Sequence, residues 1–189
     1  MSKLFIISGL PSTGSGKDSV IEGLKAEKFD FNWVITTTTR PMRPGEKQGY
    51  PYHFVSQREF RKKRDQGEFL EWAFVYGNYY GNSKEAVKQA LKSNKPAILR
   101  IDYQGVKTYK RIIPEAIVIL ITVSSIKVLG RRLRRRGQDS EEVIKSRLLV
   151  AKKELNNPPP YDYKVENREG KLDQTIQKVK EIILKEFQK

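Results

Sequence analysis

The chain has 189 residues and no cysteine, and its 37 Lys and Arg against 22 Asp and Glu give a formal net charge of +15. A disulfide framework, a thiol nucleophile and a thiolate metal site are therefore excluded, and the charge points to an anionic ligand. The length predicts one folded body with room for small inserted lobes; no apolar run is long enough to span a bilayer, nothing reads as a signal peptide, and a cytoplasmic location is expected.

Leu4-Phe5-Ile6-Ile7 is short and β-rich enough for a buried strand over about residues 3–8. Gly9-Leu10-Pro11-Ser12-Thr13-Gly14-Ser15-Gly16-Lys17-Asp18-Ser19 follows, then a helix over about residues 16–26 with Val20, Ile21 and Leu24 on its inner face. Strand, glycine-rich loop, lysine and helix in this order cradle phosphate. Glycines let N–H groups turn onto phosphate oxygens, the helix start adds partial positive charge, and the lysine reaches the outer phosphates. The competing reading is an ordinary strand-to-helix turn. The loop also departs from the common pattern of Gly, four residues, then Gly-Lys-Ser/Thr. Pro11 stands in the first glycine's place, with Gly9 further back. Asp18 stands where a hydroxyl normally holds magnesium, with Ser19 one place later. An aspartate there can hold the metal directly or through water, but it also repels phosphate.

Trp33-Val34-Ile35 reads as a second strand running into a threonine-rich stretch that Pro41 ends. A turn-rich loop leads into a strand at Tyr52-His53-Phe54-Val55, with His53 read as structural. Ser56 and Glu59 form a capping box for a helix through Phe60. Residues 68–75 form a strand, Gly77-Asn78 a turn, and Asn82 or Ser83 caps a helix to about Leu91. Residues 96–102 form a buried strand ending in a carboxylate, followed by a short helix over 104–110. Residues 116–121 are almost continuously apolar, as strands covered on both faces require. Ser125 caps a helix carrying Arg131-Arg132-Leu133-Arg134-Arg135-Arg136, and Ser140 opens the next, to about Leu155. Residues 161–167 form a last strand. The final helix spans 172–187, with Leu172, Ile176, Val179, Ile183 and Phe187 on one face. The alternation predicts a parallel sheet with right-handed crossovers.

Several stretches, taken in order, resemble the guanylate kinase family. They are Thr38-Thr39-Arg40-Pro41-Met42-Arg43-Pro44-Gly45-Glu46, Tyr52-His53-Phe54-Val55, Gly67-Glu68-Phe69-Leu70-Glu71-Trp72-Ala73 and Gly77-Asn78-Tyr79-Tyr80-Gly81. Ile101-Asp102-Tyr103-Gln104-Gly105 and Arg132-Leu133 with Arg136-Gly137 complete the set. The resemblance implies an α/β fold of the P-loop NTPase type: a parallel sheet flanked by helices, an inserted β-rich lobe for the nucleoside monophosphate, and a helical lid. The core would comprise residues 1–35, 93–125 and 150–189, the lobe 36–92 and the lid 126–149. The implied reaction moves the γ-phosphoryl group of ATP to GMP, and dGMP with it, giving GDP and ADP with Mg2+ accompanying ATP. Neither a membrane nor a nucleic acid is expected as a partner.

Residue chemistry runs beside the resemblance. Arg40 and Arg43 lie in a proline-bounded loop and can converge on one phosphate, with Tyr52 and Tyr80 adding hydroxyls; solvated arginines and packed tyrosines are the alternatives. Glu71 can accept both N1–H and the 2-amino group of guanine, whereas adenine offers N1 as an acceptor; taken alone it could be a surface carboxylate. The resemblance gives Thr36 a contact with guanine O6, and Asn82 stands where the family often has Ser or Thr. It makes Asp102 a carboxylate acting on magnesium waters or the nucleotide, the alternative being a helix N-cap. Arg100 stands where the family is usually acidic. Lid arginines would be Arg132, Arg136 and Arg147, supplying charge to the transferring group; a solvated basic helix or a nucleic-acid patch is the alternative. Asn167 is implied to lie near the adenine. The magnesium candidates are Asp18, Ser19 and Asp102. Rival readings are a guanylate-kinase-like binding module without catalysis, a related P-loop kinase of a phosphorylated sugar, and a nucleic-acid binder driven by charge.

Overall fold

Every residue of the strand leading to the loop, Leu4–Leu10, is buried, as a strand covered on both faces must be. The computed structural model of the chain describes residues 2–10, 14–75, 77–137 and 139–189, without the Tyr103 side chain. Pro11, Ser12 and Thr13 of the predicted loop thus lie outside the described residues. In chain order the elements are β1 (Leu4–Leu10), α1 (Lys17–Ala26), β2 (Asn32–Val34), β3 (Thr36–Thr38), β4 (Lys47–Gln48), β5 (Pro51–Phe54), α2 (Gln57–Asp65), β6 (Phe69–Val75) and β7 (Asn78–Ser83). There follow α3 (Lys84–Leu91), β8 (Ala97–Arg100), α4 (Tyr103–Ile112), β9 (Ile117–Thr122), α5 (Ile126–Arg136), α6 (Glu141–Asn156), β10 (Tyr163–Glu166) and α7 (Leu172–Phe187).

The chain divides into two compact units: residues up to Leu4 with Phe31–Leu99, and Phe5–Asp30 with Arg100–Lys189. In the second unit the strand order is β10-β9-β1, all parallel, with Phe5 opposite Ile117 and Tyr163 opposite Ile119. Helix α1 buries Val20, Ile21 and Leu24, and α7 packs against it through Ile176, Val179 and Ile183. Gly23 permits that approach, because a Cβ there would run into Ile176. Thr175 and Ile182 join the buried face of α7, while Leu172 and Phe187 are only half-buried. Helices α5 and α6 share Leu129, Leu133, Ile144 and Ala151. Their caps are the predicted ones: Ser125 accepts from the Val128 N–H and Ser140 from the Val143 N–H.

In the first unit β2 and β8 pair in parallel, Trp33 opposite Ile98. A second sheet has the order β4-β5-β3-β7-β6. The threonine stretch, expected as the tail of the preceding strand, is the separate strand β3, because it pairs with β5 and β7. Helix α2 starts at its Ser56 cap as expected but reaches Asp65 rather than Phe60. His53, read as structural, is exposed. No helix among the described residues is long and apolar enough to cross a membrane.

Phe60 carries α2 onto the sheet, its ring stacking on Phe69 at 4.4 Å and on Tyr79 at 5.1 Å between centroids. Phe60→Ala should destabilise the protein by about 3–5 kcal/mol, read from urea unfolding midpoints.

Candidate active site

The described loop resumes at Gly14, and Gly16 holds a left-handed φ of 94° ahead of α1. The N-cap of that helix is Gly16, which has no side chain to cap it, and a helix start carries partial positive charge that favours an anion. The loop is fixed from outside. Asn167, just past β10, donates from Nδ2 to the Ser15 carbonyl at 3.0 Å. Its own N–H donates to the Thr122 carbonyl at 2.8 Å, and its Oδ1 accepts from the Thr175 hydroxyl at 3.3 Å. A Cβ at position 16 would collide with this amide, so only glycine fits. Arg132 adds a second clamp, donating to the carbonyls of Gly14 at 3.3 Å, Ser15 at 3.4 Å and Asn167 at 2.7 Å.

These groups border a cleft of about 400 Å³ whose wall includes Gly16, Asp18, Ser19, Arg132, Arg136 and Asn167. Asn167, placed near the adenine by resemblance, thus serves the loop backbone as well as the cleft wall. The arginine cluster divides its work. Arg132, Arg135 and Arg136 line the cleft; Arg131 and Arg135 reach Glu169 at 2.6 and 4.0 Å, and Arg134 pairs with Glu141 at 2.6 Å. Arg147 is not on this wall; it pairs with Asp139 at 3.0 Å.

The Asp18 side chain is ringed by protein yet 62% exposed, because it opens into the cleft. Its enclosure would raise the carboxyl pKa, but Lys17, Arg100 and Arg136 bring it down to about 2, an effect that solvent in the open cleft screens. Arg100 donates to Asp18 Oδ1 at 2.8 Å. Burial lowers the Arg132 pKa, with Arg135 adding to this and Glu169 opposing it. Asp102 does what its alternative reading proposed: Oδ1 accepts from the N–H groups of Gln104 and Gly105, both at 3.0 Å, and caps α4.

The other group of candidate residues lies in the first unit on one face of the second sheet. Strand register sets Tyr52 opposite Thr36, Tyr80 opposite Thr38, and Glu71 opposite Asn82; side chains two apart on a strand share a face. Thr36, Glu71 and Asn82 are buried. The Thr36 hydroxyl donates to Asn82 Oδ1 at 2.9 Å, which engages the acceptor end of that amide. The Tyr52 and Tyr80 rings meet at 5.9 Å, and the Arg40 guanidinium lies 5.3 Å from the Tyr52 ring centre. Arg40 is also held by Glu46, at 2.7 and 2.9 Å to the two carboxylate oxygens. Glu46 accepts the Arg43 N–H at 2.7 Å as well, while the Arg43 side chain is exposed. Partial burial would raise the Glu46 pKa, but Arg40 and the Arg43 N–H hold it below the usual range. Sequence reasoning missed Glu46; its place in the proline- and glycine-bounded turn after Arg43 was the available signal.

The parallel α/β unit and its pinned, glycine-bounded loop at a helix start define a nucleotide-binding protein of the phosphate-loop class. The family model described as guanylate kinase matches residues 1–186. A guanylate kinase of Idiomarina loihiensis is 40% identical over 191 aligned residues, covering 100% of this chain and 89% of its own. One of Aromatoleum aromaticum is 41% identical over 169 residues, covering 89% and 82%. A crystal structure of guanylate kinase from Anaplasma phagocytophilum superimposes with a TM-score of 0.76 at 26% identity, covering 100% of this chain and 88% of that one. The chain belongs to the guanylate kinase family.

If Asn167 pins the loop, Asn167→Ala should lower stability by about 1–2 kcal/mol. It should also weaken ADP binding by roughly tenfold, read by thermal melting and calorimetry.

Proposed function

We propose that this protein is an ATP:GMP phosphotransferase, moving the γ-phosphoryl group of ATP to GMP, and to dGMP, to give GDP and ADP. Beside family membership, the observation that carries the reading is the buried Glu71 opposite an Asn82 amide whose oxygen Thr36 has already engaged. Guanine presents two donors, N1–H and the 2-amino group, next to an acceptor, O6. A carboxylate beside an amide N–H complements that edge and mismatches adenine, whose N1 is an acceptor. In this reading Thr36 positions Asn82 instead of touching the base.

The acceptor phosphate is assigned to Arg40 and Arg43, with hydroxyls from Tyr52 and Tyr80. Arg40 is already aligned by Glu46, whose two carboxylate oxygens both accept from Nη2; a phosphate dianion would compete for the same donor. ATP is assigned to the loop of residues 9–19, with Lys17 at its outer phosphates. Arg132 and Arg136 would place charge on the transferring group and exclude water. Arg147 joins them only by giving up Asp139.

The donors at the loop suit a magnesium ion that brings most of its own water. Asp18 is ionised, with its second oxygen unbonded among the described residues, and the exposed Ser19 lies beside it. Among the described residues no cluster of three or more acidic, histidine or cysteine side chains is placed to hold a bare cation. Asp18 and Ser19 would hold the ion, with Asp102 orienting water through the oxygen not used as a cap. Bound with ATP, such an ion would draw charge from the β- and γ-phosphate oxygens. A cytoplasmic location belongs to the same proposal.

The test is a coupled ADP-release assay that screens nucleoside monophosphates with ATP and Mg2+. GMP should exceed AMP by roughly 10⁴ in kcat/KM, and no GMP-dependent turnover would favour a binding module. Lys17→Ala should cut turnover by about 10²–10³-fold or more with GMP binding retained. Glu71→Ala should weaken GMP by about 10²-fold and leave the KM for ATP nearly unchanged; equal losses for both would remove Glu71 from base reading.

A further inference from the structure

Arginine is out of place at the end of β8, whose four residues are all buried. Arg100 is 8% exposed, and a buried guanidinium needs a counter-charge. Asp18 supplies it from the first turn of α1, 82 positions away in the chain, with Arg100 Nη1 donating to Oδ1 at 2.8 Å. Asp18 has a matching problem. Its carboxylate opens onto the wall of a cleft read as a polyphosphate site, where an uncompensated negative charge would repel the ligand. The bond to Arg100 also fixes which carboxylate oxygen faces the cleft, because Oδ1 is committed.

We propose that Asp18 and Arg100 act as one unit. Arg100 is a positioning residue that cancels the Asp18 charge toward nucleotide phosphate and holds the carboxylate so that its second oxygen can anchor a water of the nucleotide-bound magnesium. The inference rests on the assignment of ATP to this cleft. It makes the aspartate in the loop tolerable because the arginine is present, so neither residue is expected to work without the other.

The experiment titrates full-length protein with a fluorescent ADP analogue, in EDTA and in Mg2+, with folding checked by circular dichroism. Arg100→Ala should weaken magnesium-free binding by about tenfold or more. Arg100→Lys should recover part of that loss, and Asp18→Asn/Arg100→Ala should return to within about threefold of the unaltered protein. Asp18→Asn alone should abolish most of the gain in affinity that Mg2+ gives; if Arg100→Ala does not fold, this variant and Arg100→Lys carry the test. A merely structural ion pair would move the melting temperature and leave the magnesium dependence intact. Independent, additive effects of the two substitutions, or a full magnesium gain in Asp18→Asn, would overturn the coupling while leaving the ATP assignment standing. An unaltered protein that binds no ADP would overturn both.

Discussion

The proposed ATP site depends on two side chains that pin the carbonyl oxygens of the glycine-rich loop. A planar trans peptide sets its C=O and the following N–H in opposite directions. Once Arg132 takes the Gly14 and Ser15 carbonyls and Asn167 takes the Ser15 carbonyl, the N–H groups of Ser15 and Gly16 must face the other way. The donor array for an anion is therefore built before any anion arrives. The left-handed Gly16 at the start of α1 extends it. Asn167 can do this because its backbone is held at the end of β10 and its side chain by Thr175, so little conformational freedom remains to be lost on binding.

The two candidate sites use charge in different ways. At the loop, Lys17, Arg100 and Arg136 surround Asp18 and keep it ionised, so that a carboxylate is carried inside a positively charged cleft. On the other sheet, Glu46 holds Arg40 in place and also takes the N–H of Arg43. In both, an anion from the chain orders cations that the proposed function assigns to a phosphate. A surplus of positive charge alone would attract phosphate without orienting the groups that receive it. The large net charge of the chain is therefore a poor guide to where its ligands sit.

The arginine-rich stretch shows how geometry sorts residues that composition cannot. Arg131 and Arg134 are taken by Glu169 and Glu141, Arg132 and Arg136 turn to the cleft, and Arg135 both lines the cleft and reaches Glu169. The helical repeat accounts for this, because side chains three or four apart share a face: Arg132 and Arg136 fall together, Arg131 and Arg134 fall together, and Arg135 lies between the two sets. Arg147 is drawn to Asp139 instead, a choice made by the joint between α5 and α6.

Local chemistry was legible in the sequence. The buried first strand, the caps at Ser56, Ser125 and Ser140 and the bounds of α7 all depend on neighbours a few residues apart. The family's stretches, read in order, gave the class of fold and the residues to examine. The separate strand β3 was not legible, since apolar period does not encode which strands pair. Nor were the bonds of Asp18 to Arg100, of Asn167 to Ser15 and of Thr36 to Asn82, which join residues 82, 152 and 46 positions apart. A charged or amide side chain carries no mark of its partner in the chain. Only folding, which brings strand ends and helix starts together, decides whether an aspartate repels phosphate or is neutralised by an arginine beside it.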